Sequence, residues 1–464
     1  MGKKIPGLEP RSDLPFNMLN KFEMNYAQTV NYLFSQLPLF QRTGPAAYKA
    51  NLDNTLLLDE YFGHPHTQFR SIHVAGTNGK GSVSNMLAAI LQQSGYKTGL
   101  FTSPHLIDFR ERIRINGEVI TEEYVCNFVE AYKLIIDKIS PSFFELTTLM
   151  AFRYFADSKV DFAVIETGMG GRLDSSNIIK PLVSVITNIG LDHTQFLGNS
   201  LESVAAEKAG IIKENVPVVI GERQKETEGV FKSLADQLGC AIYQASEKYT
   251  VKSSFLSPGR KQVMFVSMRG KVVYDNLSLD LLGLYQKKNV PCVLQTCDCL
   301  RDAGVNISRE SIYEALSNVC GITGLRGRWE EIGYNPLIVC DTGHNAEGIS
   351  EVMVQIKHTA YRNLHIVFGT VSDKDPGKVL SLLPKDAKYY FTKADIPRAL
   401  DPVLLKEQAA VFGLNGEIYP EVRLAVESAV KSALAEDMIF IGGSTFVVAE
   451  ALKHFPKGIN MKER

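Results

Sequence analysis

Short apolar runs alternate along the chain with stretches whose apolar residues recur at helical spacing. The first run covers 72–75. After a glycine-rich turn, apolar residues recur from Val83 to Leu91 at the spacing of a helix that ends at Gly95. The same order returns downstream, with strands predicted at 161–165, 182–187 and 216–220. Strands that are apolar on both faces and separated by helices indicate a largely parallel sheet covered on both sides.

The remaining sequence adds two helices, an insertion and a second domain. Helical spacing from Val30 to Leu37 predicts a helix before the first strand, looser alternation over 249–273 predicts a small antiparallel insertion, and 281–303 has the pattern of a helix. Beyond the glycine-rich stretch 321–328, strands are predicted at 337–340, 364–368, 389–392 and 438–441. We therefore expect two domains, 1–324 and 325–464, with the active site in the cleft at their junction.

Composition and charge narrow the class of protein. Fifty Lys and Arg residues stand against 51 Asp and Glu residues, so the net charge of −1 gives no reason to expect a nucleic-acid partner. The chain shows neither a membrane-length apolar run nor the apolar core of a signal peptide, so we expect a cytoplasmic protein without membrane contact. The seven cysteines lack C-x-x-C spacing and are expected to be reduced thiols.

The strongest chemical signal lies between the first strand and its helix. Glycines there let successive backbone N–H groups turn towards phosphate oxygens, the helix N-terminus adds partial positive charge, and Lys80 can reach the β- and γ-phosphates. Val74 replaces the first glycine of the usual P-loop, so a glycine-rich turn without a ligand is the alternative. The predicted nucleoside triphosphate site consists of Gly76, Thr77, Asn78, Gly79, Lys80, Gly81 and Ser82.

Polar residues also follow the next predicted strands. Glu166 comes directly after the strand at 161–165, where open α/β sheets bind ligands, and its carboxylate is an oxygen ligand of the kind Mg²⁺ prefers; a solvated strand-end glutamate is the alternative. His193 follows the strand at 182–187, where imidazole could bind metal or phosphate or have a structural role. Lys208 closes a helix predicted to begin after Ser200, and by position alone it complements the helix dipole.

Three predicted strands of the second domain also end in polar residues. Asp341 and His344 follow the first, 372–375 follow the second, and Ser444 follows the last. Each group can be explained by turn formation alone. Because the carboxyl ends of parallel strands share one edge of a sheet, we expect the three groups to form a binding surface.

In chain order, these motifs resemble those of folylpolyglutamate synthase and dihydrofolate synthase, of the Mur-ligase superfamily of ATP-dependent amide-bond-forming enzymes. The resemblance implies an α/β fold. It further implies that an N-terminal P-loop ATPase-type domain with a mostly parallel sheet would bind ATP and folate, and that a smaller, Rossmann-like C-terminal domain would serve glutamate ligation. The matching segments are 73–82, 102–106, 111–114, 144–145, 166–177, 191–193, 207–211 and 341–345.

The resemblance also implies a reaction and a role for each matching residue. ATP phosphorylates a folate-type carboxylate, and the amino group of L-glutamate then attacks the acyl phosphate. The implied catalytic residues are Lys80, Glu166, His193, Lys208 and His344. Besides the glycine-rich loop, the implied ATP contacts are Asn289, Arg328 and Asp341. The implied metal ligands are Ser103, Glu166, His193 and Lys208, the last as a carbamate. The implied substrate contacts are Arg114, Phe144, Glu145, Lys374 and Ser444.

The implied cofactors are ATP and one or two Mg²⁺ ions, with K⁺ as a further candidate. The substrates would be dihydropteroate or folates together with L-glutamate, and a monomer is expected. One enzyme would carry out both the dihydropteroate and the folylpolyglutamate reactions. The alternatives are a folylpolyglutamate synthase alone, another Mur-type amino-acid ligase and, in a different class, a P-loop switch or binding protein.

Overall fold

The computed structural model describes residues 24–38, 51–372 and 376–455, and the chain divides into two compact units. Among the described residues, unit 1 comprises those up to 257 together with 263–280 and 287–324. Unit 2 comprises 258–262, 281–286 and the residues from 325 onward. The two short segments of unit 2 thus interrupt unit 1, whereas the sequence places both of them in the first domain.

An eight-stranded sheet forms the centre of unit 1. Its strands are β1 (Arg70–Ala75), β2 (Thr98–Phe101), β3 (Ile113–Ile115), β4 (Glu118–Val119), β5 (Phe162–Glu166), β6 (Val183–Ile186), β7 (Val218–Ile220) and β8 (Ile242–Gln244). Their order across the sheet is β4-β3-β2-β5-β1-β6-β7-β8. All neighbours pair in parallel except β2 with β3 and β3 with β4. The mostly parallel sheet predicted from the apolar runs is therefore confirmed.

Helices pack against this sheet. They are α1 (Tyr26–Gln36), α2 (Asp53–Tyr61), α3 (Lys80–Gln93), α4 (Glu122–Ile139), α5 (Phe143–Asp157), α6 (Thr194–Leu197), α7 (Leu201–Ala209), α8 (Lys225–Gln237), α9 (Ala245–Lys248), α10 (Gln286–Asp302), α11 (Arg309–Leu316) and α12 (Val319–Thr323). Ser200 is the N-cap residue of α7, as predicted, and its hydroxyl accepts from the N–H of Ser203.

The insertion is a three-stranded sheet with the order β11-β10-β9. It consists of β9 (Tyr249–Leu256), β10 (Gln262–Met268) and β11 (Lys271–Leu279).

The central strands of unit 1 owe their stability to burial on both faces. Ile72, Val164 and Val185 are fully buried, and β-branched side chains of this kind favour the extended backbone.

Unit 2 contains a six-stranded sheet. Its strands are β12 (Glu330–Gly333), β13 (Leu337–Cys340), β14 (Leu364–Phe368), β15 (Lys388–Phe391), β16 (Gly416–Ile418) and β17 (Met438–Gly442). The order is β12-β13-β17-β14-β15-β16, and only the β12–β13 pair is antiparallel. Its helices are α13 (Ala346–Lys357), α14 (Gly377–Leu380), α15 (Pro402–Val411), α16 (Val422–Ser432) and α17 (Thr445–His454).

The four predicted strands of unit 2 are confirmed to within a residue at each end, whereas β12 and β16 were not predicted. All seven cysteines are free thiols, as expected. Within the described ranges, none of the helices combines the length and the apolar character that crossing a membrane requires.

Candidate active site

Four neighbouring parallel strands of unit 1 end at one edge of the sheet, here called the carboxyl edge. In order across the sheet, β2 leads to Ser103, β5 ends at Glu166, β1 leads to the glycine-rich loop, and β6 leads to the segment that contains His193. Open α/β sheets bind their ligands at this edge. The fold thus gathers residues predicted from separate parts of the sequence.

The glycine-rich loop, residues 76–79, needs glycine at both of its ends. Gly76 has φ of +150° and Gly79 has φ of +84°, which side chains rarely adopt. A Cβ atom at Gly76 would lie 1.8 Å from Oγ1 of Thr187, and one at Gly79 would lie 2.4 Å from Oδ1 of Asn289. Gly79 is also the N-cap residue of α3, so the loop leads directly into a helix N-terminus, the arrangement that binds phosphate groups.

The residues that follow β6 hold the loop in place. Oδ1 of Asn188 accepts a hydrogen bond from the N–H of Asn78 at 2.8 Å, and Oγ1 of Thr187 donates to the carbonyl oxygen of Asn78 at 2.6 Å. Oγ1 of Thr77 accepts from the N–H of Gly190 at 2.9 Å. Sequence reasoning did not include Thr187 and Asn188 among the site residues, although a polar pair directly after a buried strand is a usable signal.

Two lysines approach the same carbonyl oxygen of the loop. Nζ of Lys80 and Nζ of Lys208 each lie 2.9 Å from the oxygen of Gly76. Burial, and after it the positive charge of Lys80, lowers the pKa of Lys208 to about 7, while Asp192 and Asp174 act in the opposite direction. Lys208 is 4% exposed, so it is not a surface lysine that complements a helix dipole.

Glu166 places a buried carboxylate beside the loop. It is 4% exposed, and its Oε2 accepts a hydrogen bond from the backbone N–H of Ser103 at 3.2 Å. Burial lowers the pKa of Arg112 to about 10, and the charges of Glu166 and Glu111 oppose that shift. Arg112 was missed from the predicted site, although it lies in the 111–114 segment that carries the family resemblance.

The turn that follows Glu166 is organised by Asp174. Its Oδ2 accepts from the N–H groups of Gly168 at 2.8 Å and Met169 at 3.0 Å, and its Oδ1 accepts from the N–H and the hydroxyl of Ser176. Burial raises the pKa of Asp174, and these hydrogen bonds oppose the rise. Asp174 therefore fixes the backbone next to Glu166.

His193 lies at the far end of the loop that follows β6. It is the N-cap residue of α6 with φ of +52°, it is partly exposed, and its N–H donates to Oδ1 of Asp192 at 2.9 Å. Gly190, three residues earlier, is bound to Thr77. The segment that carries His193 is therefore attached to the glycine-rich loop.

Two of the three predicted folate contacts of unit 1 have clear neighbours. Nη1 of Arg114 donates to the carbonyl oxygen of Gly117 at 2.9 Å. The ring of Phe144 covers Gly168, where a Cβ atom would lie 2.6 Å from the ring Cζ. Since Gly168 is two residues beyond Glu166, the Phe144 ring lies beside the carboxyl edge.

The carboxylate of Glu145, the third predicted folate contact, accepts hydrogen bonds at the start of its own helix. Its Oε2 accepts from the N–H of Ser142, the N-cap residue of α5, at 2.5 Å and from Nδ2 of Asn54 at 3.4 Å. The hydroxyl of Ser142 accepts in return from the N–H of Glu145, which completes a capping box. With 3% of its surface exposed, this carboxylate fixes the start of α5 beside Phe144.

Asp341 is the most heavily bonded candidate of unit 2. Directly after β13, its Oδ2 accepts from the N–H of Trp329 at 2.7 Å and from the hydroxyl of Tyr285 at 2.6 Å, and its Oδ1 accepts from the N–H of Gly343 at 2.7 Å. Burial raises the pKa of Asp341 and these bonds oppose the rise. A carboxylate offers about four acceptor positions, so about one remains.

The other predicted site residues of unit 2 that the structure describes also lie near the carboxyl ends of its strands. Nδ1 of His344 lies 2.9 Å from the carbonyl oxygen of Thr342, and Nη1 of Arg328 bonds the hydroxyl of Thr342. Ser444 follows β17, the neighbour of β13, and caps α17. Lys374 lies outside the described residues.

The chain matches two family models in succession. Residues 74–297 match the Mur ligase middle domain, and residues 327–445 match the glutamate ligase domain of Mur ligases. The chain is 31% identical to the dihydrofolate synthase/folylpolyglutamate synthase of Bacillus subtilis, over 84% of this chain and 91% of that protein. It is 33% identical to a probable bifunctional folylpolyglutamate synthase/dihydropteroate synthase of Haloferax volcanii, over 92% of this chain, which spans only 50% of that relative.

Solved structures show the same fold. E. coli FolC in complex with DHPP and ADP has a TM-score of 0.81 and 26% identity, covering 94% of this chain and 98% of that one. A bifunctional folylpolyglutamate synthase/dihydrofolate synthase with Mn, AMPPNP and L-glutamate bound has a TM-score of 0.79 and 26% identity, covering 93% and 98%. The fold predicted from the sequence is confirmed by both.

Proposed function

Because the chain belongs to the dihydrofolate synthase/folylpolyglutamate synthase family of Mur ligases, we propose that it is an ATP-dependent ligase that joins L-glutamate to dihydropteroate and to reduced folates. The observation that carries the proposal is the carboxyl edge of unit 1. There a loop with the geometry of a phosphate site lies next to the buried carboxylate of Glu166. The ligands in the related solved structures, ADP, AMPPNP, Mn and L-glutamate, support the same reaction.

The glycine-rich loop and Lys80 would hold the phosphate groups of ATP. The N–H groups at the start of α3 point out of the helix end, where its dipole favours negative charge. Nζ of Lys80, now bound to the oxygens of Gly76 and Thr77, needs only to turn towards the phosphates to neutralise them. Asn289, whose amide lies against Gly79, would contact the nucleotide.

Mg²⁺ would be held by Glu166 and His193, with Ser103 and the carbamate of Lys208 completing the set. The donor set suits the ion, because Mg²⁺ prefers oxygen ligands and the carboxylate of Glu166 is buried at the carboxyl edge. When bound, Mg²⁺ reduces the repulsion between the ATP phosphates and the substrate carboxylate. A second Mg²⁺ ion and a K⁺ ion remain part of the proposal and are tested by metal titration.

Lys208 would serve as a carbamate. A neutral lysine amine adds to CO₂ with release of one proton, and the product carries a carboxylate-like negative charge. Only the unprotonated amine reacts, so the pKa of about 7 supports this role. The ammonium form would instead repel Mg²⁺.

Transfer of the γ-phosphoryl group to the substrate carboxylate gives ADP and an acyl phosphate, which glutamate attacks through its amino group with loss of phosphate. Arg114 and the ring of Phe144 would bind the folate-type substrate, and Glu145 would act by fixing the helix that carries Phe144. Water must be kept from the acyl phosphate, because hydrolysis would waste ATP.

Unit 2 would supply the remaining contacts. Arg328 would contact the nucleotide, His344 would lie near its phosphates, and Asp341 would accept a hydrogen bond from a ribose hydroxyl besides those it already accepts. Lys374 and Ser444 would position the incoming glutamate. We further propose that the protein is cytoplasmic and a monomer, and sedimentation of the purified protein tests the oligomeric state.

Phosphate release from ATP tests the reaction class. A ligase releases phosphate only when both tetrahydrofolate or dihydropteroate and L-glutamate are present. A P-loop switch would hydrolyse ATP without them. Another Mur-type ligase would respond to a different amino acid or acceptor, so omission of each substrate in turn separates the three alternatives.

A further inference from the structure

Two histidines and a buried aspartate lie together in the connection between α2 and β1. Nδ1 of His64 lies 2.7 Å from Oδ2 of Asp59, and Nδ1 of His66 lies 2.7 Å from Oδ1 of the same residue. These three groups offer one ligand atom each within 4.8 Å of one another. The connection enters β1 at Arg70, the strand end opposite the glycine-rich loop, so the cluster is separate from the carboxyl edge.

The backbone holds both imidazoles in place. Gly63 and His64 have φ of +75° and +52°, and the N–H of His64 donates to the carbonyl oxygen of Asp59 at 2.9 Å. A 3₁₀ turn that begins at Pro65 follows, and the N–H and hydroxyl of Thr67 both donate to the oxygen of His64. Backbone and side-chain hydrogen bonds therefore fix the turn that carries His64 and His66 next to Asp59.

Burial and charge favour a cation at this position. The side chain of Asp59 is 3% exposed, and within the described part of the chain its ion-pair partners are His64 and His66. A buried carboxylate is stabilised by a paired charge or a metal ion, and an ion bound by all three side chains would supply that charge. The side chain of His64 is 56% exposed, which leaves the cluster open to an ion from solvent.

We propose that Asp59, His64 and His66 bind Zn²⁺ or a similar borderline divalent ion. Two imidazole nitrogens and a carboxylate oxygen suit this class, whereas Mg²⁺ and Ca²⁺ prefer oxygen ligands throughout. Each imidazole turns the lone pair of Nδ1 to the ion and keeps its hydrogen on Nε2. Three protein ligands would leave one tetrahedral position for water.

Zn²⁺ titration of the nucleotide-free protein tests the site. Wild type should bind one equivalent at the cluster, and His64→Ala and His66→Ala should each weaken that binding about tenfold or more, because each removes one of three ligands. His358→Ala removes an exposed histidine elsewhere, and Glu166→Gln removes the carboxylate of the carboxyl edge; both should keep the equivalent. Unchanged affinity in His64→Ala, or loss of the equivalent in Glu166→Gln, overturns the proposal.

A thermal shift provides a second measurement. An ion that binds only the folded protein raises the unfolding temperature. Zn²⁺ should therefore raise it in wild type and in His358→Ala, and raise it clearly less in His64→Ala. Because His64 is exposed, its replacement leaves the core intact, and circular dichroism checks this. An equal shift in all three proteins overturns the proposal.

Discussion

Lys80 and Lys208 donate to the same backbone oxygen, that of Gly76, each from 2.9 Å. This shared acceptor brings two amines of separate helices together in a buried site at the carboxyl edge. Burial and the charge of Lys80 both disfavour the ammonium form of Lys208, which accounts for its pKa of about 7. The same arrangement leads to predictions about stability and about catalysis.

Stability should depend on pH through Lys208. Its pKa is about 7 in the folded protein and 10.5 without burial, so between these values the unfolded chain binds more protons. The free energy of unfolding of wild type should therefore rise, relative to Lys208→Met, as pH increases from 7 to 10.5. Below pH 7 both states are protonated and the difference should be constant.

Urea unfolding in CO₂-free buffer across this pH range measures the effect. Lys271→Met, which removes an exposed lysine, is the control and should show no comparable trend. A difference between wild type and Lys208→Met that does not change with pH would contradict the low pKa.

Lys208→Ala should lose turnover and recover part of it with added acetate or formate. A small carboxylate can occupy the space of the missing carbamate and supply an oxygen ligand. Lys213→Ala, in which another lysine bonded to a backbone oxygen is removed, should show no such recovery in the same steady-state assay. Absence of any rescue, together with an unmodified ammonium in a metal-loaded crystal structure, would count against the carbamate.

Glu166→Ala should lose on the order of 10²-fold in kcat while remaining folded, because an electrostatic contact to the reacting phosphates is removed. His193→Ala should lose a similar factor. Glu222→Ala, which removes a partly exposed carboxylate paired with Lys288, should retain its kcat. Near-normal turnover of Glu166→Ala would exclude Glu166 as a metal ligand.

Gly76→Ala should abolish ATP binding or the fold around it. The added Cβ would lie 1.8 Å from Oγ1 of Thr187, and the backbone has φ of +150°. Gly229→Ala, inside α8 with open space around it, should instead stabilise the protein by up to about 1 kcal/mol. Equilibrium dialysis with ATP and thermal unfolding measure both variants; normal ATP affinity of Gly76→Ala would show that the loop adjusts.

Uninterrupted apolar runs made β1, β5, β6 and the central strands of unit 2 predictable, because burial on both faces leaves a clear pattern. β16 is short and mostly exposed, and β12 is partly exposed, so neither produces such a run. The polar residues after these strands were predictable as well, because each group directly follows an apolar run. Hydrogen bonds between distant segments were not: Asn78 and Asn188 are 110 residues apart, and only the parallel pairing of β1 with β6 brings them together.

Hydrogen bonds in the structure also assign a different role to some residues that the sequence had identified. Glu145 and Asp341 each belong to a motif, yet their carboxylates serve N–H groups of their own unit, and no spacing in the sequence reveals that. The cleft between the two predicted domains, and the substrate contacts assigned to it, remain predictions.

Product formation tests the central claim most directly. Purified protein is incubated with ATP, Mg²⁺ and L-glutamate, with dihydropteroate in one reaction and tetrahydrofolate in the other, and the products are identified by mass spectrometry. The account predicts one added glutamate on dihydropteroate and further glutamates on tetrahydrofolate, with ADP and phosphate formed in step. Product from tetrahydrofolate alone would contradict the dual activity, and product in neither reaction would contradict the proposed ligase.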